Sequence, residues 1–167
     1  MSALAAQPLT ARAFAPFGQV ISAGLSQGAA ANQGTAVRFD WSAALASARP
    51  GARPNLAVFR ALPQALPFAV KLLEQHPYST QAFLPMVCSR LLVIVAPTAA
   101  DGGPELSGLT AFVAGPGQGV NYGVGTWHHP IVALDMPAEL AMLAWEDGGP
   151  GDCVERALAA QVAIEVG

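Results

Sequence analysis

The chain has 167 residues, of which 53% are apolar and only 11% are charged, and its formal net charge is −3. This composition excludes an intrinsically disordered chain, which combines low hydropathy with high charge. The acidic balance and the single lysine, Lys71, provide no basic patch for a nucleic acid. The length predicts one domain, residues 1–167, because a domain typically contains roughly 150 residues.

No targeting or membrane-spanning segment is predicted. The longest apolar stretch, Leu91–Ala96, is far shorter than the roughly 20 residues that a spanning helix needs. Residues Met1–Thr10 have neither a basic start nor a long apolar core, so a secretory signal is not expected. Cys88 and Cys153 lie far apart and outside any CxxC motif, as in a reducing compartment. We therefore expect a cytoplasmic protein, and its weakly charged surface predicts a homo-oligomer.

Turn-forming residues divide the chain into short pieces. Seventeen glycines and fourteen prolines separate runs that are rich in Val, Ile, Leu and Phe. Short apolar runs between frequent turn signals predict an all-β sandwich or barrel, whereas a βαβ fold would need repeated helical windows of about 10–15 residues. The predicted strands are, in chain order, Gln19–Ser22, Thr35–Phe39, Leu56–Arg60, Arg90–Ala96, Leu109–Ala114, Ile131–Leu134 and Glu139–Trp145.

Three other segments are candidates for helices. The segment Ser42–Ala48 predicts a short helix with a serine cap, and Asp152–Val166 has room for another. Phe68–His76 fits a helix, with Pro67 as its first residue. It also fits a strand, in which alternate residues from Phe68 to His76 share one face. Pro77 ends either element.

The histidines are concentrated beside prolines. His76 lies in a Glu-Gln-His-Pro segment, and His128 and His129 lie in a Trp-His-His-Pro segment. In a strand, Glu74 and His76 point the same way, whereas His128 and His129 point to opposite faces. At most one of the adjacent pair is then expected to face the same cavity as Glu74 and His76. Gln81 follows His76 by five residues and is a further polar neighbour.

These side chains allow more than one chemistry. Two histidines with a carboxylate or an amide form a mixed nitrogen and oxygen ligand set for a metal. The same groups are equally suited to acid/base chemistry without a metal. The ordinary alternative is that each ring packs in the interior with its N–H bonded to the backbone. The concentration of these groups in a chain so poor in charge favours a functional site.

The arginines are the other scarce cations. Arg38 and Arg60 each end a strand-like run, so they are candidates for the mouth of a barrel. A guanidinium binds a carboxylate through a planar fork, although either residue taken alone fits an ordinary surface arginine. The signatures GxxxxGK[ST] and HExxH are absent. The glycine-rich run 115–119 contains a proline and no lysine, which predicts a turn.

Two stretches resemble the signatures of a known family. Residues 73–86, Leu-Glu-Gln-His-Pro-Tyr-Ser-Thr-Gln-Ala-Phe-Leu-Pro-Met, resemble the signature LERHPxxxQAFxPM of the ureidoglycolate lyases, also called ureidoglycolate hydrolases. Residues 118–122, Gln-Gly-Val-Asn-Tyr, with 127–130, Trp-His-His-Pro, resemble the second signature, QGVNYxxxxWHHP. The similarity extends from Leu9 to Cys153 and so covers nearly the whole chain.

The resemblance implies a fold and a reaction. The implied fold is an all-β, cupin-like (RmlC-like) antiparallel β-barrel or jelly roll with a few short helices, commonly a homodimer. It favours the strand interpretation of Phe68–His76. The implied reaction is the cleavage of (S)-ureidoglycolate to glyoxylate and urea, a nitrogen-salvage step of allantoin and purine catabolism. The alternatives are an amidohydrolase that releases ammonia and a non-catalytic cupin that binds a small carboxylate.

The resemblance also implies which residues form the site. In the cupin pattern, Glu74 and His76 stand where the first motif usually has paired histidines, and Gln81 stands near its carboxylate. His128 ends a Gly-x-x-His sequence that matches the second motif, which makes His128 the inward candidate and His129 a packing residue. The family is linked to nickel or another divalent ion, for which Glu74, His76, Gln81 and His128 are the implied ligands. This set differs from the usual three His and one Glu.

The implied chemistry assigns roles to these side chains. Ureidoglycolate is a hemiaminal, so its cleavage needs a base at the hydroxyl and an acid at the departing nitrogen. His76 and His128 are the candidates for the base or for groups that orient a metal. Glu74 is a metal ligand or the partner acid. The predicted substrate-binding residues are Arg38 and Arg60 for the carboxylate, and Gln81, Asn121 and Tyr122 for the urea end.

Overall fold

The computed structural model describes residues 3–167, and these residues form mainly β-strands. The described part of the chain has one α-helix, α1 (Ala11–Phe14), and two 3₁₀ turns, Asn32–Gly34 and Leu106–Gly108. None of its helices has the length and hydropathy needed to cross a membrane. The strands are β1 (Leu4–Ala5), β2 (Gln7–Pro8), β3 (Gly18–Ile21), β4 (Gly28–Ala31), β5 (Ala36–Phe39), β6 (Arg53–Ala61), β7 (Phe68–Gln75), β8 (Gln81–Val87), β9 (Arg90–Ala96), β10 (Thr110–Ala114), β11 (Gly119–Tyr122), β12 (Trp127–His128), β13 (Val132–Leu134), β14 (Ala138–Glu146) and β15 (Val154–Glu165).

The larger sheet is closed by the N-terminal segment. Its eight strands follow the order β1-β15-β7-β12-β9-β10-β2, and β13 also pairs with β9. Strand β1 pairs in parallel with β15 at one end of this order, and β2 pairs in parallel with β10 at the other. Only Ala6 separates β1 from β2 along the chain. The N-terminal segment therefore joins the two ends, and the sheet forms a barrel.

The smaller sheet packs against this barrel. Its five strands follow the order β3-β11-β8-β14-β6, with antiparallel pairing throughout. Strands β4 and β5 form a separate hairpin. The all-β barrel architecture predicted from the short apolar runs is confirmed.

Strand β9 separates two hydrophobic cores. Its odd-numbered residues from Leu91 to Val95 belong to a core shared with the smaller sheet, which includes Phe83 and Leu140. Its even-numbered residues from Leu92 to Ala96 belong to a second core, enclosed by strands of the larger sheet and their flanking residues. A strand buried on both faces reads as a continuous apolar run, which explains why Leu91–Ala96 shows no polar alternation.

Seven predicted strands are confirmed, but the two predicted helices are wrong. Arg90–Ala96 has the predicted bounds, and the others differ by one to three residues at their ends. Asp152–Val166 contains the long strand β15, because its backbone pairs with β1 and β7. Ser42–Ala48 is an irregular loop. Its Ala46 N–H donates to Thr80 Oγ1 (3.1 Å), and Thr80 N–H donates to Ala46 O (3.0 Å).

Strand β7 confirms the strand interpretation of Phe68–His76, with a correction to its faces. Val70 and Leu73 are three residues apart, yet both lie in the core enclosed by the larger sheet. The alternation therefore shifts between them, where the register of the partner strand β15 also shifts. As a result, Glu74 points away from that core and toward the smaller sheet.

Aromatic packing fixes the helix near the start of the chain. Thr10 caps α1, because its Oγ1 accepts a hydrogen bond from Ala13 N–H (3.2 Å). Phe14, at the end of α1, is fully buried. Its ring centroid lies 5.8 Å from that of Phe112 and 6.0 Å from that of Tyr122. Phe14 therefore packs behind the residues that form the candidate site.

We expect Phe14→Ala to lower the free energy of unfolding by about 3–5 kcal/mol, because it leaves a cavity in a closed aromatic cluster. Urea denaturation followed by tryptophan fluorescence measures this change. Val124→Ala, at an exposed position, is the control and should change the free energy by less than about 0.5 kcal/mol. Equal effects of the two substitutions would contradict the packing role of Phe14.

Candidate functional site

Strand pairing brings the two His-Pro segments together. Strand β12 lies between β7 and β9, so that His128 is directly opposite Glu74 on one side and Val95 on the other. Trp127 points into the core of the larger sheet, and its Nε1–H donates to Gly102 O (3.1 Å). Successive side chains of a strand alternate in direction. His128 therefore points to the smaller sheet, as Glu74 does.

Glu74, His76 and His128 form a cluster between the two sheets. One potential ligand atom from each lies within 4.8 Å of the others. Glu74 Oε1 is 3.4 Å from His128 Nε2. Gln81 and Tyr122, cross-strand partners in the smaller sheet, complete the cluster. Gln81 Oε1 is 3.0 Å from His128 Nε2, and the Tyr122 ring stacks on His128 with 3.9 Å between centroids.

The cluster is almost fully enclosed. His76, His128, Gln81 and Tyr122 are each more than nine-tenths buried. The Glu74 side chain is 14% exposed, so the cluster reaches solvent mainly at this carboxylate. In such an environment electrostatic interactions are stronger than in water.

Both imidazoles are anchored through Nδ1 to backbone carbonyls. His76 Nδ1 lies 2.8 Å from Asp152 O, and His128 Nδ1 lies 2.8 Å from Thr126 O. A carbonyl oxygen only accepts hydrogen bonds, so each Nδ1 carries a proton and donates it. In the neutral ring, Nε2 then has a free electron pair that faces the cluster.

Three acceptor atoms converge around His128. In the tautomer that Thr126 selects, His128 Nε2 is an acceptor, as are Glu74 Oε1 and Gln81 Oε1. Acceptors at these distances repel one another unless a proton or a cation lies between them. The arrangement therefore fits either a second proton on His128 or a bound cation.

Two buried polar atoms of the cluster have no hydrogen-bond partner: His76 Nε2 and Tyr122 OH. Buried polar atoms in native proteins are nearly always paired, so such atoms indicate a place for a ligand. Ligating histidines usually donate their other ring N–H to a carbonyl or a carboxylate, as His76 and His128 do. Two histidines and one carboxylate also form a known set for divalent transition metals. The residues therefore fit a divalent cation.

The surroundings shift the protonation of the cluster. Burial alone would raise the pKa of Glu74, but the hydrogen bond and charge of His128, with the charge of His76, lower it below its usual value. Burial and the neighbouring His128 lower the pKa of His76. Burial raises the pKa of Tyr122 far above its usual value. At neutral pH the cluster therefore combines a carboxylate, a neutral His76 and a protonated tyrosine.

Two glycines allow the backbone to approach closely around this cluster. Gly125, three residues before His128, has a φ of 72°, and its N–H donates to His76 O (2.9 Å). Gly18 has a φ of 147°, and a Cβ there would lie 1.9 Å from Asn121 O. No larger residue fits at Gly18 without moving the strand that carries Tyr122.

His129 and Asn121 are not part of the cluster. The His129 ring packs edge-on against Phe68, with 5.1 Å between centroids, and burial lowers its pKa. Asn121 lies on the opposite face of β11 from Tyr122. Its Nδ2 donates to Gln19 Oε1 (2.8 Å), which ties β11 to β3. A contact between Asn121 and substrate stays a prediction.

The structure does not bring Arg38 or Arg60 to the cluster. The Arg38 side chain is 71% exposed, and its guanidinium donates to Asp40 Oδ2 through Nε and Nη2. The Arg60 side chain is 76% exposed, and its guanidinium donates in the same way to Glu139 Oε1, on the outer face of the smaller sheet. Both guanidinium groups already bind carboxylates of this chain, so a role for either residue in binding substrate stays a prediction.

Sequence reasoning missed a cysteine beside the cluster. Cys153 Sγ lies 3.7 Å from Glu74 Oε2. Burial and the charge of Glu74 raise the pKa of this thiol to about 12, so it stays protonated. The only signal in the sequence was its position at the end of the family resemblance.

Sequence reasoning also missed an arginine that anchors the cluster from behind. Arg49 Nη1 is 3.0 Å from Asp147 Oδ2, and Arg49 Nη2 pairs with Asp152 Oδ1. The guanidinium also stacks over the Tyr78 ring, at 4.8 Å from its centroid. Because Asp152 O accepts the hydrogen bond from His76, Arg49 fixes the backbone that holds this imidazole. Arg49 lies in a loop with no periodic pattern, so no sequence signal points to it.

Comparison with known proteins identifies the family. The family model for ureidoglycolate lyase matches residues 1–165. The chain belongs to the ureidoglycolate lyase family. It is 41% identical over 151 residues to the ureidoglycolate lyase of Burkholderia mallei (strain NCTC 10229), with 90% of this chain and 86% of that protein covered. The identity to the Burkholderia cepacia ureidoglycolate lyase is 41% over 164 residues, with 97% and 90% covered.

A solved structure supports the same fold. A dTDP sugar isomerase from Desulfovibrio desulfuricans superposes with a TM-score of 0.50 at 15% sequence identity, over 82% of this chain and 86% of that one. At this identity the similarity concerns the fold alone. The cupin-like barrel expected for the family is confirmed.

We expect Arg49→Lys to lower the free energy of unfolding by about 1.5–3 kcal/mol, because an ammonium cannot bind Asp147 and Asp152 through a planar fork. Arg38→Lys is the matched control, because the Arg38 guanidinium binds Asp40 on the exposed surface. It should lower the free energy of unfolding by less than about 1 kcal/mol. Urea denaturation measures both. The anchoring role of Arg49 would be refuted by equal losses.

Proposed function

We propose that the chain carries out the reaction of its family, the cleavage of (S)-ureidoglycolate to glyoxylate and urea, at the cluster of Glu74, His76 and His128. One observation carries the proposal. Two imidazoles anchored through Nδ1 meet a carboxylate between the sheets, beside the unpartnered atoms His76 Nε2 and Tyr122 OH. This enclosed group can accept one proton, supply another and hydrogen-bond a small polar substrate.

The reaction transfers two protons and breaks one carbon–nitrogen bond. One carbon of the substrate carries a hydroxyl, a carboxylate and the ureido nitrogen. The hydroxyl loses its proton, the carbon–oxygen bond becomes the carbonyl of glyoxylate, the carbon–nitrogen bond breaks, and the nitrogen gains a proton. No water is consumed, so the reaction is an elimination. The site must supply a base, an acid and polar contacts.

His76 and His128 are suited to the base and the acid. The lowered pKa of His76 leaves Nε2 free to take the hydroxyl proton at neutral pH. A proton on His128 Nε2, shared with Glu74 Oε1 and Gln81 Oε1, can pass to the departing nitrogen. Glu74 then acts as the charged partner of His128 rather than as the acid, because its pKa is lowered. Tyr122 stays protonated and can donate its OH to the substrate.

We also propose that the cluster can hold a divalent cation through Glu74 Oε1, His76 Nε2 and His128 Nε2. Gln81 Oε1 is then a neighbouring oxygen. A cation at this position would act as a Lewis acid on the substrate hydroxyl. In that form His76 is a ligand instead of the base. The three converging acceptors support the cation form, and the lowered pKa of His76 supports the acid/base form.

An assay on purified protein with racemic ureidoglycolate tests the reaction, with spontaneous breakdown subtracted. We expect glyoxylate and urea in equal amounts. His76→Ala and His128→Ala should each lower turnover by about 10²–10⁴-fold, the usual contribution of a positioned acid or base. His129→Ala is the matched control and should retain turnover of the same order as the wild type, because His129 packs outside the cluster.

The same assay separates the alternatives. Release of ammonia would indicate an amidohydrolase, and ligand-dependent thermal shifts without turnover would indicate a binding protein. Loss of turnover after chelation, restored by Ni²⁺ or another divalent ion, would establish the cation form. Unchanged turnover after chelation would establish the acid/base form. Full turnover in His76→Ala would refute the proposed site.

We further propose that the chain forms a homodimer through the outer face of the smaller sheet. Strand β6 is an edge strand of this sheet. The outer face carries large apolar side chains that are exposed to solvent, which is typical of an interaction surface. These residues are Leu56, Val58, Leu84 and Met86.

Light scattering after size exclusion tests the dimer. We expect twice the mass of the chain for the wild type and the mass of one chain for Val58→Arg, because a buried unpaired charge is costly. Met136→Arg, at an exposed apolar residue outside this face, should remain dimeric. A monomeric wild type would refute the dimer.

We also propose that the protein is cytoplasmic. Cys88 and Cys153 are both free thiols. Thiols remain reduced in the cytosol, whereas oxidising compartments favour disulfides.

A further inference from the structure

We propose that Cys153 is a positioning residue whose thiol holds the Glu74 carboxylate with Oε1 directed at His128. The inference rests on the proposed function in one respect, that Glu74 acts at the cluster. It gives a role to Cys153, for which the sequence alone suggested none.

The two oxygens of Glu74 have different partners. Oε1 is 3.4 Å from His128 Nε2, and Oε2 is 3.7 Å from Cys153 Sγ. An ionised carboxylate only accepts hydrogen bonds, so the thiol must be the donor to Oε2. The terminal torsion of a glutamate is broad and has little preference of its own. A donor at Oε2 therefore adds to the contact of Oε1 with His128 in setting which way the carboxylate plane is turned.

Chain register explains why the thiol lies at this point. Cys153 immediately precedes β15, whose residue Glu155 is directly opposite Glu74 on β7. The preceding residue, Asp152, accepts the Nδ1–H of His76 through its backbone carbonyl. Two consecutive residues thus hold two members of the cluster, one through the backbone and one through the side chain.

A second observation indicates a place for a ligand beside Glu74. His76 Nε2 has no hydrogen-bond partner although His76 is more than nine-tenths buried. In a site this enclosed, the contact between Glu74 Oε1 and His128 depends on how the carboxylate is turned, because the other members of the cluster are more than nine-tenths buried and cannot exchange it for water. Loss of a partner that orients a ligating or catalytic group typically costs about 10–100-fold in affinity or activity.

Infrared spectroscopy of the S–H stretch tests the hydrogen bond directly. This band lies where other protein groups and water absorb little, so the difference between wild type and Cys153→Ser isolates Cys153. Cys88→Ser isolates Cys88, which is the internal control. We expect the Cys153 band at lower frequency and with higher intensity than the Cys88 band. It should move toward the Cys88 band in Glu74→Gln, because an amide is a weaker acceptor than a carboxylate.

Kinetics test the positioning role. Cys153→Ala should lower kcat by about 10–100-fold with KM nearly unchanged. Cys153→Ser should restore most of kcat, because a hydroxyl can also donate to Oε2. Cys88→Ala should match the wild type, and thermal melts confirm that each variant is folded. Equal losses in Cys153→Ala and Cys153→Ser, or no loss in either, would overturn the proposal.

Two outcomes separate this inference from the proposed function. A wild type without ureidoglycolate cleavage would refute the function, whereas the infrared bands would still decide whether Cys153 donates to Glu74. With Co²⁺ added, a thiolate-to-cobalt charge-transfer band that disappears in Cys153→Ser would show Cys153 to be a direct ligand, which would overturn the positioning role. Its absence together with the infrared shift would support that role.

Discussion

The pairing of β12 with β7 is the constraint on which the site depends. This pairing is short, yet it puts His128 directly opposite Glu74. The alternation of β12 sends Trp127 into the core of the larger sheet and His128 toward the smaller sheet. A slip of one residue would exchange these two side chains. Burial of Trp127 therefore fixes the register and, with it, the direction of His128.

The cluster is stabilised by backbone atoms more than by side-chain ion pairs. Each imidazole donates to a carbonyl, at Asp152 for His76 and at Thr126 for His128. A backbone carbonyl oxygen does not change its charge with pH, and in an ordered segment it does not rotate as a carboxylate side chain does. The tautomer of both rings is thus set before a substrate arrives, and only Glu74 among the charged groups needs a side chain to orient it. This preorganisation is what catalysis by fixed polar groups requires.

The sequence was most informative where local pattern and tertiary environment agree. The continuous apolar run Arg90–Ala96 predicted β9 with its observed bounds. The helix prediction for Asp152–Val166 is wrong. This stretch is rich in alanine and other good helix formers, but it forms a strand because pairing with β1 and β7 outweighs its helix propensity. The two His-Pro segments pointed to Glu74, His76 and His128, and the family resemblance then implied their roles. Arg49 and Cys153 were not predictable, since each acts on a residue far away in the chain.

The parts of the site differ in how they are held, and this difference has a mechanical consequence. Glu74 and His128 lie on strands whose hydrogen bonds belong to the barrel. His76 depends on the turn 147–152, which is held by hydrogen bonds and ion pairs of Asp152 with Gly148 and Arg49. Arg49 therefore supports the backbone that holds His76 and takes no part in the strand pairing that holds Glu74 and His128. The His76 side of the cluster and the Glu74 side are in this sense separately supported. Cys153 lies where the two supports meet, because it directly follows Asp152, which holds His76, and its thiol lies beside Glu74.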